Sequence, residues 1–354
     1  MKTVFFTICA RNYLAFASAL GVSTLRHHPE ARFTIWLLDR GELPQLPADL
    51  QLRYVEEAVG QGEYTELSLR YSILELATAV KPACFQRHFS EGIDRVIYLD
   101  PDIYVFRPLD KVTAALDGGA CGVLTPHLLA PLPRDGAHPD DLDIQRSGIY
   151  NLGFLALAAG EDADRLLAWW RQWLLTHCFA DPRTGVFTDQ KWLNYAHLFH
   201  PDFHILRDTA YNVAYWNLPQ RQLEQADEQW RVDGEPLVFF HFSGFNPAMP
   251  QLLSKHQDRI DVRPWSPLAG ILEFYTREVL KWGHDRIHRL ALPRLHFSNG
   301  MLFDAVCQRL YQECQAQGRR FANPLATGPG TFFAWVNEPL LEAGEGAHLT
   351  RYLK

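Results

Sequence analysis

The run Arg95-Val96-Ile97-Tyr98-Leu99 has the β-branched and aromatic composition of a buried strand, and it leads straight into Asp100-Pro101-Asp102. Pro101 has no N–H to give a strand ladder, so the strand must stop there and both carboxylates must sit at its exit. Taking two acids out of water costs several kcal/mol each unless a cation compensates them. For Asp-x-Asp at the carboxyl end of a strand, the natural cation is a hard divalent metal that a substrate phosphate also binds. The same tripeptide suits a surface turn between two strands, because Asp and Pro are both common turn formers. The rest of the chain has to decide between these readings.

With 354 residues, 47% of them hydrophobic, the chain can bury a large core, as one large domain with additions or as two domains. A net charge of -7 leaves no basic stripe to neutralise phosphates along a nucleic acid, so nucleic acid is excluded as a partner. The cysteines (Cys9, Cys84, Cys121, Cys178, Cys307 and Cys314) are scattered without CxxC spacing and read as reduced thiols of a cytoplasmic protein. Met1 to Ala10 has a Lys and an apolar run, yet Arg11-Asn12 breaks the run and no small-residue cleavage site follows. It reads as a strand. No segment approaches the roughly 20 apolar residues that span a bilayer, so the expectation is a soluble chain or one that touches a membrane only peripherally.

Val4 to Ala10, a helix over Tyr13 to His27 and a strand from Phe33 to Leu38 form a β-α-β unit with parallel strands and a right-handed crossover. Ligands of such sheets bind beyond the carboxyl ends of the strands, which places Thr7, Ala10, Arg11, Tyr13 and Asp39 near a pocket. No GxGxxG follows the first strand, which counts against a dinucleotide site, and no Gly-rich lysine loop is present, which excludes a P-loop. After a short strand at Gln51 to Val55, helices are expected from Tyr64 to Ala79 and from Lys81 towards Gly92. Pro131 to Ser147 reads as a loop over the site, and Tyr150 to Leu157 as a strand opening with Asn151 and Gly153. Asp162 to Phe179 is a Trp-rich helix, Asp189-Gln190 opens another, and Leu237 to Phe242 is a strand ending in His241-Phe242-Ser243-Gly244. From about Ser266 the pattern turns helical and rich in Arg and His. The expected division is therefore a catalytic domain at 1–265 and a helical extension at 266–354 that packs on it or docks to a partner or an anionic membrane surface.

The order Tyr98-Leu99-Asp100-Pro101-Asp102, then Tyr150-Asn151-Leu152-Gly153, then Asp189-Gln190 with Asn194, then His241-Phe242-Ser243-Gly244 resembles the GT-A glycosyltransferases. Within them it is similar to the retaining family of glycogenin and the bacterial lipopolysaccharide galactosyl- and glucosyltransferases, over roughly residues 1 to 250. The resemblance implies an α/β fold with a Rossmann-like mixed sheet flanked by helices, a UDP-sugar donor and Mn2+ or Mg2+. It implies Asp100, Asp102 and His241 as metal ligands, and Thr7, Ala10, Tyr13 and Asp39 around the uridine. Lys81 would offset donor phosphate charge, unless it is simply a cation at a helix end. Asn151, Asp189 and Gln190 would face the donor sugar and the reacting centre, with Gly153 and Gly244 giving close approach to the donor. One departure stands out: the family often has Lys where this chain has Pro247, and Lys255 or His256 is the substitute at hand. The acceptor would be a glycan or lipid-linked glycan of a bacterial surface, as in polysaccharide biosynthesis, with the work done in the cytoplasm or at the inner face of the membrane. An inverting GT-A enzyme and a non-catalytic donor-binding subunit stay open beside this reading.

Overall fold

The computed structural model describes residues 1–338 other than 182, 184, 228 and 293. Residues 339–354 of the expected extension lie outside the described part. The strands in chain order are β1 (Thr3–Cys9), β2 (Arg32–Leu37), β3 (Leu50–Tyr54), β4 (Arg95–Leu99), β5 (Ile103–Val105), β6 (Gly122–Leu124), β7 (Phe154–Ala158), β8 (Phe203–Ile205), β9 (Leu223–Ala226), β10 (Gln229–Val232), β11 (Glu235–Pro236) and β12 (Phe239–His241). Seven of them make the main sheet, in the order β3-β2-β1-β4-β7-β6-β8. β3, β2, β1 and β4 are parallel, β7 runs antiparallel to both β4 and β6, and β6 and β8 are parallel. This is the mixed α/β sheet flanked by helices that the resemblance implies.

Every residue of β1 is buried, because both faces of the sheet are covered. Phe5 and Cys9 point into one core with the helix Leu14–His27, while Val4, Phe6 and Ile8 point into a second core with the helices Lys81–Ser90 and Glu161–Leu174. The helix Pro267–Lys281 adds Ile271, Leu272, Tyr275 and Val279 to the first of these cores. Phe297, Phe303, Cys307, Tyr311, Cys314, Phe332 and Val336 gather instead in a small separate cluster on Leu69.

Several local expectations are corrected. The pattern from Tyr64 to Ala79 is two helices, Gln61–Arg70 and Ile73–Ala79, because Ser72 and Glu75 form a capping box that starts a new helix. Another capping box, Asp140 with Asp143, makes Asp141–Ser147 a helix within the expected loop. The strand expected from Tyr150 starts only at Phe154, so Asn151 and Gly153 lie in the turn before it. The helical pattern expected from about Ser266 opens as Pro267–Lys281, followed by the short His284–Ile287. The meander β9–β11 was not anticipated; its strands are short and mostly polar.

Candidate active site

The parallel half of the sheet delivers its carboxyl ends to one edge, and the acids sit there. Leu99 is paired with Phe154, and the Asp100 N–H donates to the Gly153 carbonyl at 2.7 Å. The Ile103 N–H returns to the Asp100 carbonyl at 3.0 Å, closing the turn that Pro101 imposes. β5 then pairs antiparallel with β12, placing His241 opposite Ile103, and the Phe242 N–H donates to the Asp102 carbonyl at 2.9 Å. Two ladders thus bring together three side chains from distant parts of the sequence. His241 Nε2 lies 3.1 Å from Asp102 Oδ1 and 3.6 Å from Asp100 Oδ2, and one donor atom of each residue falls within 4.8 Å of the others.

Burial raises the Asp100 pKa and the neighbouring Asp102 adds to it, against the pull of Lys81 and His241. The Tyr98 hydroxyl donates to Asp100 Oδ1 at 2.5 Å and steadies the charged form. Burial alone would lower the His241 pKa, but Asp102 and Asp100 outweigh it and the pKa is raised. The cluster is therefore a trap for positive charge. Two carboxylate oxygens and one imidazole nitrogen suit Mn2+ and accept Mg2+, so the residues fit the ion that the resemblance implies. The acids keep 31% and 20% of their side chains exposed while His241 keeps 3%, so the open side of the cluster is the carboxylate side. In a further acid–imidazole group, Asp140 and Asp143 form the helix cap and His138 Nδ1 lies 2.7 Å from Asp143 Oδ2.

Two glycines are dictated by packing. A Cβ on Gly153 would stand 2.3 Å from Cε1 of His241, so the close approach this glycine permits is that of the imidazole. Gly244 has φ +72°, and a Cβ there would meet Ser254 and His256 at 2.5 Å.

Beneath the acids lies a buried polar network. Lys81 is the first residue of the helix Lys81–Ser90, not a cation at a helix C-terminus, and is 1% exposed. Its Nζ lies 2.5 Å from Asp189 Oδ2, donates to the Leu152 carbonyl at 2.9 Å, and sits 4.1 Å from the centre of the Tyr98 ring. Burial raises the Asp189 pKa, opposed by Lys81. Gln190 accepts from the Leu152 N–H at 3.0 Å and donates to the Ser147 carbonyl at 3.0 Å. Asn151 Oδ1 accepts from the Gly153 N–H and from Asn212, while its Nδ2 reaches His127 at 3.2 Å and Gln190 at 3.4 Å. Asn151, Asp189 and Gln190 are all buried; Asn151 and Gln190 contact each other, while Asp189 is engaged by Lys81, Thr188 and Trp170.

Of the residues expected around the uridine, Ala10 and Tyr13 lie at the end of β1, where burial and then Asp102 raise the Tyr13 pKa. Thr7 is fully buried inside β1, and its hydroxyl has no hydrogen-bond partner among the described residues. Asp39 accepts from the Arg11 N–H and from Arg11 Nε, both at 2.7 Å, so its carboxylate is matched inside the protein. Arg11 also reaches the Glu42 and Ala291 carbonyls. The sequence reading missed His127, Asn212, Tyr215, Trp216 and Tyr275. Asn212 has φ +50°, a conformation Asn tolerates better than most residues.

No protein-family model matches the chain. The uncharacterized proteins YfnF and YfnD of Bacillus subtilis (strain 168) are 27% identical over 174 residues and 26% over 175. Each alignment takes 48% of this chain and 57% or 54% of the relative, so the chain spans about half the length of the curated relatives it matches. Among solved structures, the galactosyltransferase LgtC in complex with donor and acceptor sugar analogs is 17% identical, with 80% of this chain and 96% of that chain covered and a TM-score of 0.43. The bifunctional glycosyltransferase WbbM is 14% identical over 82% of this chain and 51% of that one, at a TM-score of 0.46. Mouse xyloside xylosyltransferase 1 is 15% identical over 68% and 96%, at 0.40. All three are glycosyltransferases. At such scores they carry no argument for this chain, and its activity is argued from its own side chains. No helix among the described residues is long and apolar enough to cross a membrane.

Proposed function

We propose that the chain transfers a sugar from a UDP-sugar to a hydroxyl of a surface glycan or lipid-linked glycan, retaining the anomeric configuration, with Mn2+ or Mg2+ held by Asp100, Asp102 and His241. The observation that carries this reading is the convergence of those three side chains at the carboxyl edge of the sheet. A bound ion would supply electrostatic stabilisation of the diphosphate as it leaves. Ala10 and Tyr13 would flank the nucleoside, and Asp39 would act on it only through Arg11. Lys255 or His256 would replace the basic contact missing at Pro247: the Lys255 N–H bonds the Gly244 carbonyl at 3.1 Å, and burial and then Lys255 lower the His256 pKa while the nearby Asp102 opposes them.

The Asp189 carboxylate is buried and paired with Lys81 and Thr188, which disfavours it as a covalent nucleophile. The reading therefore takes the acceptor hydroxyl to the anomeric carbon from the face the diphosphate leaves. One C–O bond forms as the other breaks, and the hydroxyl proton goes to the departing phosphate oxygen. The reaction would take place in the cytoplasm, where UDP-sugars are made, or against the membrane face that carries a lipid-linked acceptor.

The test is hydrolysis and transfer across a panel of UDP-sugars with and without Mn2+, with the anomer of the first product read by NMR. Metal-dependent turnover of one donor with retained configuration is expected. An inverted product would replace the retaining mechanism, and UDP binding without turnover of any donor would make the chain a donor-binding subunit.

A further inference from the structure

A metal-binding imidazole is usually held by a hydrogen bond from its second ring nitrogen to a carboxylate, carbonyl or water. His241 lacks that support: its Nδ1 is buried and has no partner among the described residues. Side-chain torsions of this kind are broad and roughly two-fold, so a half-turn of the ring costs little intrinsically. Such a turn exchanges Nε2 for Cε1 and would point carbon at Asp100 and Asp102. The half-turned ring has nearly the same outline, so it is the Nε2 contact with Asp102 at 3.1 Å that disfavours the turn, and the tilt of the ring is left to packing.

Two neighbours press on the ring. Gly153 lies against the Cε1 edge, where a Cβ would come within 2.3 Å. Trp216 meets the imidazole edge-on, with ring centres 5.2 Å apart and planes at 87°. Trp216 is itself 3% exposed and is fixed by the His127 ring at 5.3 Å and the Tyr215 ring at 5.0 Å. The segment just before it is also held: Asn217 Oδ1 accepts from the Ala214 N–H at 2.9 Å, and the His241 N–H donates to the Val213 carbonyl at 2.8 Å.

We infer that Trp216 is a positioning residue for His241, whose packing fixes the tilt of a ring that has no hydrogen bond on its second nitrogen. The inference rests on the metal-site reading above, and its test separates the two. Wild type, Trp216→Phe and Trp216→Leu are compared in two ways. One is Mn2+ affinity from the free-ion paramagnetic resonance signal. The other, in metal-free protein, is the nuclear Overhauser contact between His241 Hε1 and Gly153 Hα. Wild type and Trp216→Phe should show the contact and bind Mn2+ within about threefold of each other; Trp216→Leu should lose the contact and bind roughly 10- to 100-fold more weakly. If Trp216→Leu does not fold, Trp216→Met is read in its place. A folded Leu or Met variant that keeps both the contact and wild-type affinity overturns the inference. A wild type that shows the contact but binds no Mn2+ overturns the metal reading alone, and the contact still decides the role of Trp216.

Discussion

The buried pair Lys81–Asp189 gives a quantitative test of how the site is supported. Replacing Lys81 with Met keeps most of the volume but leaves the Asp189 carboxylate without its cation in a position 2% exposed. Orphaning one member of a buried pair costs about 3–5 kcal/mol. The variant also strips the donor from the Leu152 carbonyl, for about 1–3 kcal/mol, part of which local relaxation recovers. A loss of about 5 kcal/mol is expected for Lys81→Met and about 3 kcal/mol for Asp189→Asn. With both charges gone, the double variant keeps only the Leu152 defect and should lose about 2 kcal/mol, far less than the two single losses together. Urea unfolding of all four proteins at one pH measures this directly. A pH dependence should follow in Lys81→Met. Burial raises the carboxyl pKa above its unfolded value, so the folded state holds a proton that the unfolded state releases, and stability falls as pH rises through that interval. The variant should thus be less impaired at pH 5 than at pH 8. Single variants within about 1 kcal/mol of wild type, or a double variant equal to their sum, would refute the reasoning.

Three further predictions rest on separate contacts. Gly153→Ala places a methyl on the His241 ring and should weaken Mn2+ binding by at least roughly tenfold by calorimetry, with the far-ultraviolet dichroism unchanged. His88 accepts a hydrogen bond from Trp36 Nε1 at 3.1 Å, and burial lowers its pKa to about 4. The unfolded chain therefore binds a proton there first as pH falls, so this residue's contribution is intact above about pH 6.5 and declines by about 3 kcal/mol towards pH 4. A flattened acid limb in His88→Gln would confirm it, and an unchanged slope would count against it. Arg259 donates to the Pro133, Ala137 and Pro139 carbonyls and to Asp135, so Arg259→Ala should speed amide exchange across 133–139 while Mn2+ affinity stays as in wild type.

What could be read from the residues alone follows a physical divide. Asp100 and Asp102 were legible because an apolar run and a proline together force two acids to a strand exit, where their compensation has to be explained. His241 was legible only in combination, as the last of an ordered set. The break at Tyr71–Ser72 was available in the Ser72-x-x-Glu75 signature and lost to the stronger helical periodicity on either side. The nearest neighbour of Gly153 was not legible, because a glycine's freedom says that something comes close without saying what; here the His241 ring does. Trp216, His127 and Tyr275 carry no local signal. An aromatic or a histidine in an apolar segment is ordinarily core, and these matter through neighbours far away in sequence. Tyr275 stacks on Phe242 with ring centres 3.7 Å apart, so a helix from the expected extension braces the strand end that carries His241.

The most direct test of the central claim is a Mn2+ titration of the wild-type chain beside Asp102→Asn and His241→Ala, followed by paramagnetic resonance. The account predicts one saturable Mn2+ site in wild type, strengthened by added UDP and lost in both variants, which stay folded. Equal Mn2+ binding by all three proteins, or none by wild type in the presence of UDP, would contradict it.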